Sequence, residues 1–181
     1  MKVFVSIFTL LVLNNTLFSQ ENNSSSNDSI ITWSKTYKLE WQDYTGKMNP
    51  DIFAYAVTSY KIDIIPENVK VDAQDNILNY QDLTVLANFY KNHSWAISTD
   101  VDLLNHERLH FDIAELFAKK IRTRFSELKA AKEKRFSVYW DEYSILWKAC
   151  RQLQKQYDLE TNHGEKKAEN DQWIAKINEE L

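Results

Sequence analysis

One stretch constrains everything else in this chain: Asn105 to Leu116, reading Asn-His-Glu-Arg-Leu-His-Phe-Asp-Ile-Ala-Glu-Leu. It lies within a longer run whose apolar residues recur at helical spacing on nearly two faces. Ile113, Ala114, Phe117 and Ile121 continue the face begun by His106 and His110, and Leu104, Phe111, Ala118 and Phe125 form a second stripe. The run predicts a helix from near Asp100 to about Ala131, with Thr99 and Asp102 as its capping box. A helix of that length, packed on both sides, must form the centre of the domain. It would also hold its histidines rigidly.

His106-Glu107-x-x-His110 on such a helix has a chemical consequence. Histidines four residues apart stack on one face, and two neutral imidazoles can then reach a single Zn²⁺ at about 2.0–2.1 Å. Glu107, one step round the helix, is placed to take a proton from a water that the metal activates. Two buried histidines can also be ordinary hydrogen-bonded core residues. The metal reading is preferred because histidine is scarce here, with four in the chain, and the pattern falls on the helix that the apolar periodicity predicts.

The composition is that of one folded domain, with 44% hydrophobic and 13% aromatic residues in 181. Two glycines and two prolines imply long regular elements and turns built from Asn, Asp and Ser. The balance of 22 basic to 26 acidic residues, with no basic stripe, argues against nucleic acid as a partner. Residues 1–19 read as a secretory signal: Lys2, then a mostly apolar run from Val3 to Leu13, with Ser19 before the cut. Its apolar run is short for a bilayer span, so the expectation is export to the periplasm or the outside, with no membrane span after cleavage. Residues 20–29 form a polar Asn/Ser linker expected to be disordered, and residues 30–181 the folded domain. The one cysteine, Cys150, sits on an apolar helical stripe and reads as core, so no internal disulfide is expected.

The N-terminal half predicts strands. These begin near Ile30, near Leu39 running into a turn at Gly46, over Ala54–Ile65, and briefly at Ser94–Ser98, with Tyr80–Tyr90 either strand or short helix. After the central helix, a second is expected over about Val138–Tyr157, from the stripe Tyr139, Tyr143, Leu146, Cys150, Leu153 and Tyr157, with Gly164 as a helix stop. A third is expected over about Lys166–Leu181. The fold class that results is α+β, a small antiparallel sheet from the N-terminal half packed on three C-terminal helices.

A zinc site of this kind needs a third protein ligand. Glu115 falls on the opposite side of the helix, and Asp112 is off-face, where it could orient an imidazole. His93 lies in a polar run resembling an exposed loop. His163, in a turn beside Gly164, is the first choice, and Asp158 is the second because zinc also accepts carboxylate oxygen. Tyr157 is a candidate donor to a developing oxyanion on position alone.

Three blocks carry a resemblance: Leu39-x-Trp41-x-Asp43-Tyr44-x-Gly46, then His106-Glu107-x-x-His110-Phe111-Asp112-Ile113-x-Glu115, then Tyr157-Asp158-x-x-Thr161-x-His163-Gly164. Together they span most of the chain beyond residue 19 and contain both glycines. In these blocks the chain resembles an uncharacterised secreted bacterial family described as candidate zinc-dependent proteases. The resemblance implies a zincin-like domain in which His106 and His110 bind zinc, Glu107 is the catalytic carboxylate, and the last block supplies the remaining ligand. The expectation is a secreted metallopeptidase acting on a peptide or protein. The alternatives are an exported domain that binds zinc or another ligand without turnover, and an exported structural protein whose histidines are only packed.

Overall fold

The computed structural model describes residues 29–181. The expected signal segment and nearly all of the linker lie outside the described residues. Within them, the strands precede three helices, as the α+β expectation required.

Strand β1 (Ile30–Thr32) is short; β2 (Ala56–Val57) and β3 (Tyr60–Ile65) follow, then β4 (Thr84–Tyr90) and β5 (Trp95–Ala96). β4 is the middle of a three-stranded antiparallel sheet in the order β1-β4-β3, while β2 and β5 pair separately. The pleat of β4 divides its side chains by chemistry. Val85, Ala87 and Phe89 are buried on the helix side. On the other side Asn88 links Thr32 and Asp63, and the Tyr90 hydroxyl also donates to Asp63.

Helix α1 (Val101–Ala130) crosses the apolar face of this sheet, with Phe111 meeting Phe89 at 5.9 Å between ring centroids. Asp100, rather than Thr99, caps it: the Asp100 carboxylate accepts from the Leu103 N–H at 2.8 Å. Helix α2 (Phe136–Thr161) packs across α1 through Tyr139 on Phe125 and reaches the sheet where the Tyr143 hydroxyl donates to the Ile62 carbonyl. Helix α3 (Lys167–Glu180) closes the other side with Trp173 against Tyr157. Cys150 is fully buried and unbonded to other cysteines, and burial pushes its thiol up to about 12. No helix among the described residues is long and apolar enough to cross a membrane.

The stretch from Leu39 to Gly46 is not the expected strand but a tight turn, Trp41–Asp43. Asp43 folds it back, its carboxylate accepting from the Glu40 N–H and the Tyr37 hydroxyl. The turn braces α1: the Trp41 indole donates to the Asp100 carbonyl, and the Arg108 guanidinium donates to the Leu39 carbonyl at 2.6 Å. Gly46 lets the chain run close to its neighbour, because a Cβ there would lie 2.6 Å from the Ser94 carbonyl oxygen. These contacts give the first of the three sequence blocks a mechanical role.

Candidate metal centre

α1 presents His106 and His110 one turn apart, as their spacing requires, and the last turns of α2 lie opposite. Asp158 projects from α2 between them. Its Oδ1 stands 3.2 Å from His106 Nε2 and 3.1 Å from His110 Nε2, and the two Nε2 atoms are 3.2 Å apart. Among the described residues, these three form the group able to hold a metal ion. His106 is buried, its ring stacked on Tyr157 at 4.5 Å between centroids.

The hydrogen bonds around His110 test whether a cation fits. The Gln154 amide nitrogen donates to the His110 carbonyl at 2.8 Å, so its oxygen is the atom that faces His110 Nδ1. An amide oxygen only accepts, so Nδ1 carries the proton and the neutral ring has its lone pair at Nε2. That lone pair points at a carboxylate oxygen. Two acceptors 3.1 Å apart repel unless a proton or a metal ion lies between them. Ligand atoms held tetrahedrally at about 2.0–2.1 Å from one ion stand about 3.3 Å from each other, close to all three separations here. The donor set fits a metal ion. His106 Nδ1 is buried without a hydrogen-bond partner among the described residues, so only its Nε2 has a bonding direction.

With no ion bound, the same atoms form a proton-sharing cluster. Burial opposes ionisation of Asp158, but hydrogen bonds from His106 and His110 outweigh it and hold the carboxyl well below the usual range. Burial likewise opposes charge on His110. The hydrogen bond to Asp158 and the negative charges of Glu107 and Asp158 prevail, and its pKa is raised.

Glu107 is next to the cluster, almost wholly buried, and is positioned by residues outside the motif. Thr58, just after β2, donates its hydroxyl proton to Glu107 Oε2 at 2.5 Å, so the Tyr44 hydroxyl, 2.9 Å from Thr58 Oγ1, must donate to Thr58. Tyr44 therefore ties the first sequence block to the motif. Thr58 and Gln154 carried no signal that the sequence reading could use. Both belong to no spacing pattern, and only folding brings them to the histidines.

His163, the first choice for third ligand, does not join the group. Asn162, His163 and Gly164 all have left-handed backbones (φ 50°, 54° and 86°). This turns the His163 ring outward, leaving it 76% exposed with Nδ1 3.6 Å from Asp158 Oδ1. Asp158, the second choice, is the carboxylate that faces both imidazoles. His93 is exposed and stacked on Tyr90, as expected of a loop. Asp112 orients no imidazole; its carboxylate accepts from the Trp33 indole at 2.7 Å. Glu115 pairs with Arg122. The Tyr157 hydroxyl is buried against the His106 carbonyl and Asn170 and offers no donor to a substrate.

The helix stop is Asn162, and Gly164 has another purpose. A Cβ at Gly164 would lie 2.9 Å from both Cβ and Cγ of His106 and 3.3 Å from its Nδ1. Thr161 braces this turn, its hydroxyl donating to the Tyr157 carbonyl and accepting from the Gly164 N–H. The Tyr-Asp-x-x-Thr-x-His-Gly block is thus one structural unit: Tyr157 stacks on His106, Asp158 faces both imidazoles, and Gly164 packs on His106 from the side.

Fold and site together define an α+β domain with a two-histidine, one-carboxylate centre held between two long helices. A bacterial family described as "Bacterial protein of unknown function (DUF922)" matches residues 92–164, a span containing both histidines, Glu107, Asp158 and Gly164. No curated protein and no solved structure matches the chain.

Proposed function

We propose that this chain is an exported zinc-dependent hydrolase that cleaves peptide bonds. The observation that carries the reading is the convergence of His106 Nε2, His110 Nε2 and Asp158 Oδ1, at 3.1–3.2 Å from one another, beside the Glu107 carboxylate. Two imidazoles and one carboxylate are a donor set that zinc takes in catalytic sites, with a fourth position left open. Bound there, Zn²⁺ supplies Lewis acidity, polarising a carbonyl and lowering the pKa of a water.

The remaining work belongs to side chains of this protein. Glu107 takes the proton of the attacking water and returns it to the departing amine. Thr58, itself held by Tyr44, keeps one carboxylate oxygen fixed and leaves the other to the proton. Gln154 fixes His110 in the tautomer that offers Nε2. Export rests on the character of residues 1–19.

The burial of Glu107, 5% exposed, favours a second reading in which the domain binds zinc without turnover. Elemental analysis and a peptide-library screen of wild type and Glu107→Gln separate the two. The hydrolase reading expects about one zinc per chain in both proteins and cleavage by the wild type alone. Zinc in both with cleavage in neither supports the binding domain. No zinc after reconstitution, or cleavage undiminished in Glu107→Gln, refutes the mechanism.

A further inference from the structure

Trp147, Lys148, Arg151, Gln152 and Lys155 line a groove of 380 Å³ along α2. Arg151 lies seven residues before Asp158, and at about 100° per residue the two are within about 20° of each other around the helix. Arg151 and Trp147 therefore lie about two and three turns before Asp158 on the side of α2 that carries it, and the groove extends from there around the helix. Trp147 is packed in place: its ring meets Tyr60 edge-on at 6.0 Å and lies nearly parallel to Tyr143 at 6.5 Å. The charge of the groove is uncommitted. The chain has five arginines, and Arg108, Arg122, Arg124 and Arg135 each form an ion pair. Among the described residues, Arg151, Lys148 and Lys155 form none, in a chain whose acidic residues outnumber its basic ones.

We propose that this groove is a substrate subsite that selects peptides bearing an acidic side chain, with Arg151 as the residue that recognises the carboxylate. The proposal rests on the metallopeptidase reading and adds its substrate class. Arg151 presents a planar fork of donors that matches a carboxylate, and Trp147, one turn before it on α2, lines the groove beside it. Seven residues of helix span about 10 Å, and an extended peptide advances about 3.3 Å per residue. The recognised Asp or Glu is therefore about three residues from the bond that is cut.

The test uses zinc-loaded protein and internally quenched decapeptides with a single Glu moved along the sequence, each with a Gln twin. The expected kcat/KM ratio of Glu to Gln peptide is about fivefold at the third residue from the cut, the size of a partly exposed charge-assisted contact. It should reside in KM and fall to about one in Arg151→Gln. A ratio near one in the wild type, or one that survives Arg151→Gln, overturns the proposal. If no decapeptide is cut, the hydrolase reading has failed separately, and fluorescein-labelled versions of the same pairs decide the subsite by anisotropy. An Arg151-dependent, about fivefold tighter binding of a Glu peptide sustains it, and equal binding overturns it. Arg151-dependent binding of polygalacturonate with no Glu–Gln difference reassigns the groove to acidic polysaccharide and likewise overturns it.

Discussion

Replacing Gly164 by alanine tests whether the turn after α2 is packed on the metal centre. Two costs add. An L-residue at φ 86° carries the left-handed penalty of about 1–2 kcal/mol. The new Cβ, 2.9 Å from Cβ and Cγ of His106, adds an overpacking cost of about 1–3 kcal/mol, since both partners are backbone-anchored and cannot swing away. The sum is about 3 kcal/mol, which for a domain of this size lowers Tm by about 10 °C. Urea denaturation with and without zinc, and a chelator competition for zinc affinity, measure the two consequences. A strained turn alone would lower stability equally with and without metal. Contact with His106 also displaces a ligand, so zinc affinity should fall about tenfold or more. A Gly164→Ala protein within about 0.5 kcal/mol of wild type, or one destabilised with zinc affinity intact, would refute the packing argument.

Other perturbations separate the ligands from their surroundings. His163→Ala should retain zinc affinity within about threefold, because its ring points outward, whereas Asp158→Asn should lose zinc in the same chelator competition. Gln154→Leu removes the acceptor that fixes His110, and an affinity loss of about 10- to 100-fold is expected with the helices intact by circular dichroism. In metal-free protein, the lowered pKa of Asp158 contributes stability above the ordinary carboxylate value of about 4, lost as pH falls through the lowered native one. The raised pKa of His110 contributes stability below about 6.5, lost as pH rises through its native value. The stability gap between metal-free wild type and Asp158→Asn should thus be widest between about pH 4 and pH 6.5. Urea titrations showing a constant gap from pH 4 to 9 would rule this out.

Elements with sustained periodicity were readable from the residues alone. α1 begins and ends within a residue or two of the run from Asp100 to Ala131, because fourteen of its side chains are buried and nearly every apolar position reports a contact. α2 extends about a turn further at its end than the stripe up to Tyr157, since Asp158 faces the histidines, Leu159 and Glu160 are exposed, and Thr161 braces the turn, which leaves no apolar stripe to mark it. β1, β2 and β5 fall where strands are expected, near Ile30, within Ala54–Ile65 and at Ser94–Ser98, but they span only two or three residues, and their bounds and pairing are fixed by their partners in space. The turn at Trp41–Asp43 has the alternation of a strand. It became a turn because one carboxylate, Asp43, captures a local N–H and a tyrosine hydroxyl.

The choice of third ligand shows where reading by residue type reaches its limit. Histidine is the commoner zinc ligand, and His163 sits beside a glycine near the site, so composition ranks it above Asp158. Backbone direction favours Asp158, and the zinc affinities of His163→Ala and Asp158→Asn test that ranking. Asp158 is still on α2, one turn after Gln154, and its position on the helix commits it to the face that meets α1. His163 follows the helix stop at Asn162, where the left-handed backbone redirects its side chain. The glycine that seemed to mark His163 is needed for His106 instead. Each residue of the block then has one mechanical reason: Tyr157 to stack, Asp158 to face both imidazoles, Thr161 to brace the turn, and Gly164 to admit the ring. His163 alone has no such reason in the group, which is why its replacement is the most direct way to separate a three-histidine centre from the carboxylate-bearing one.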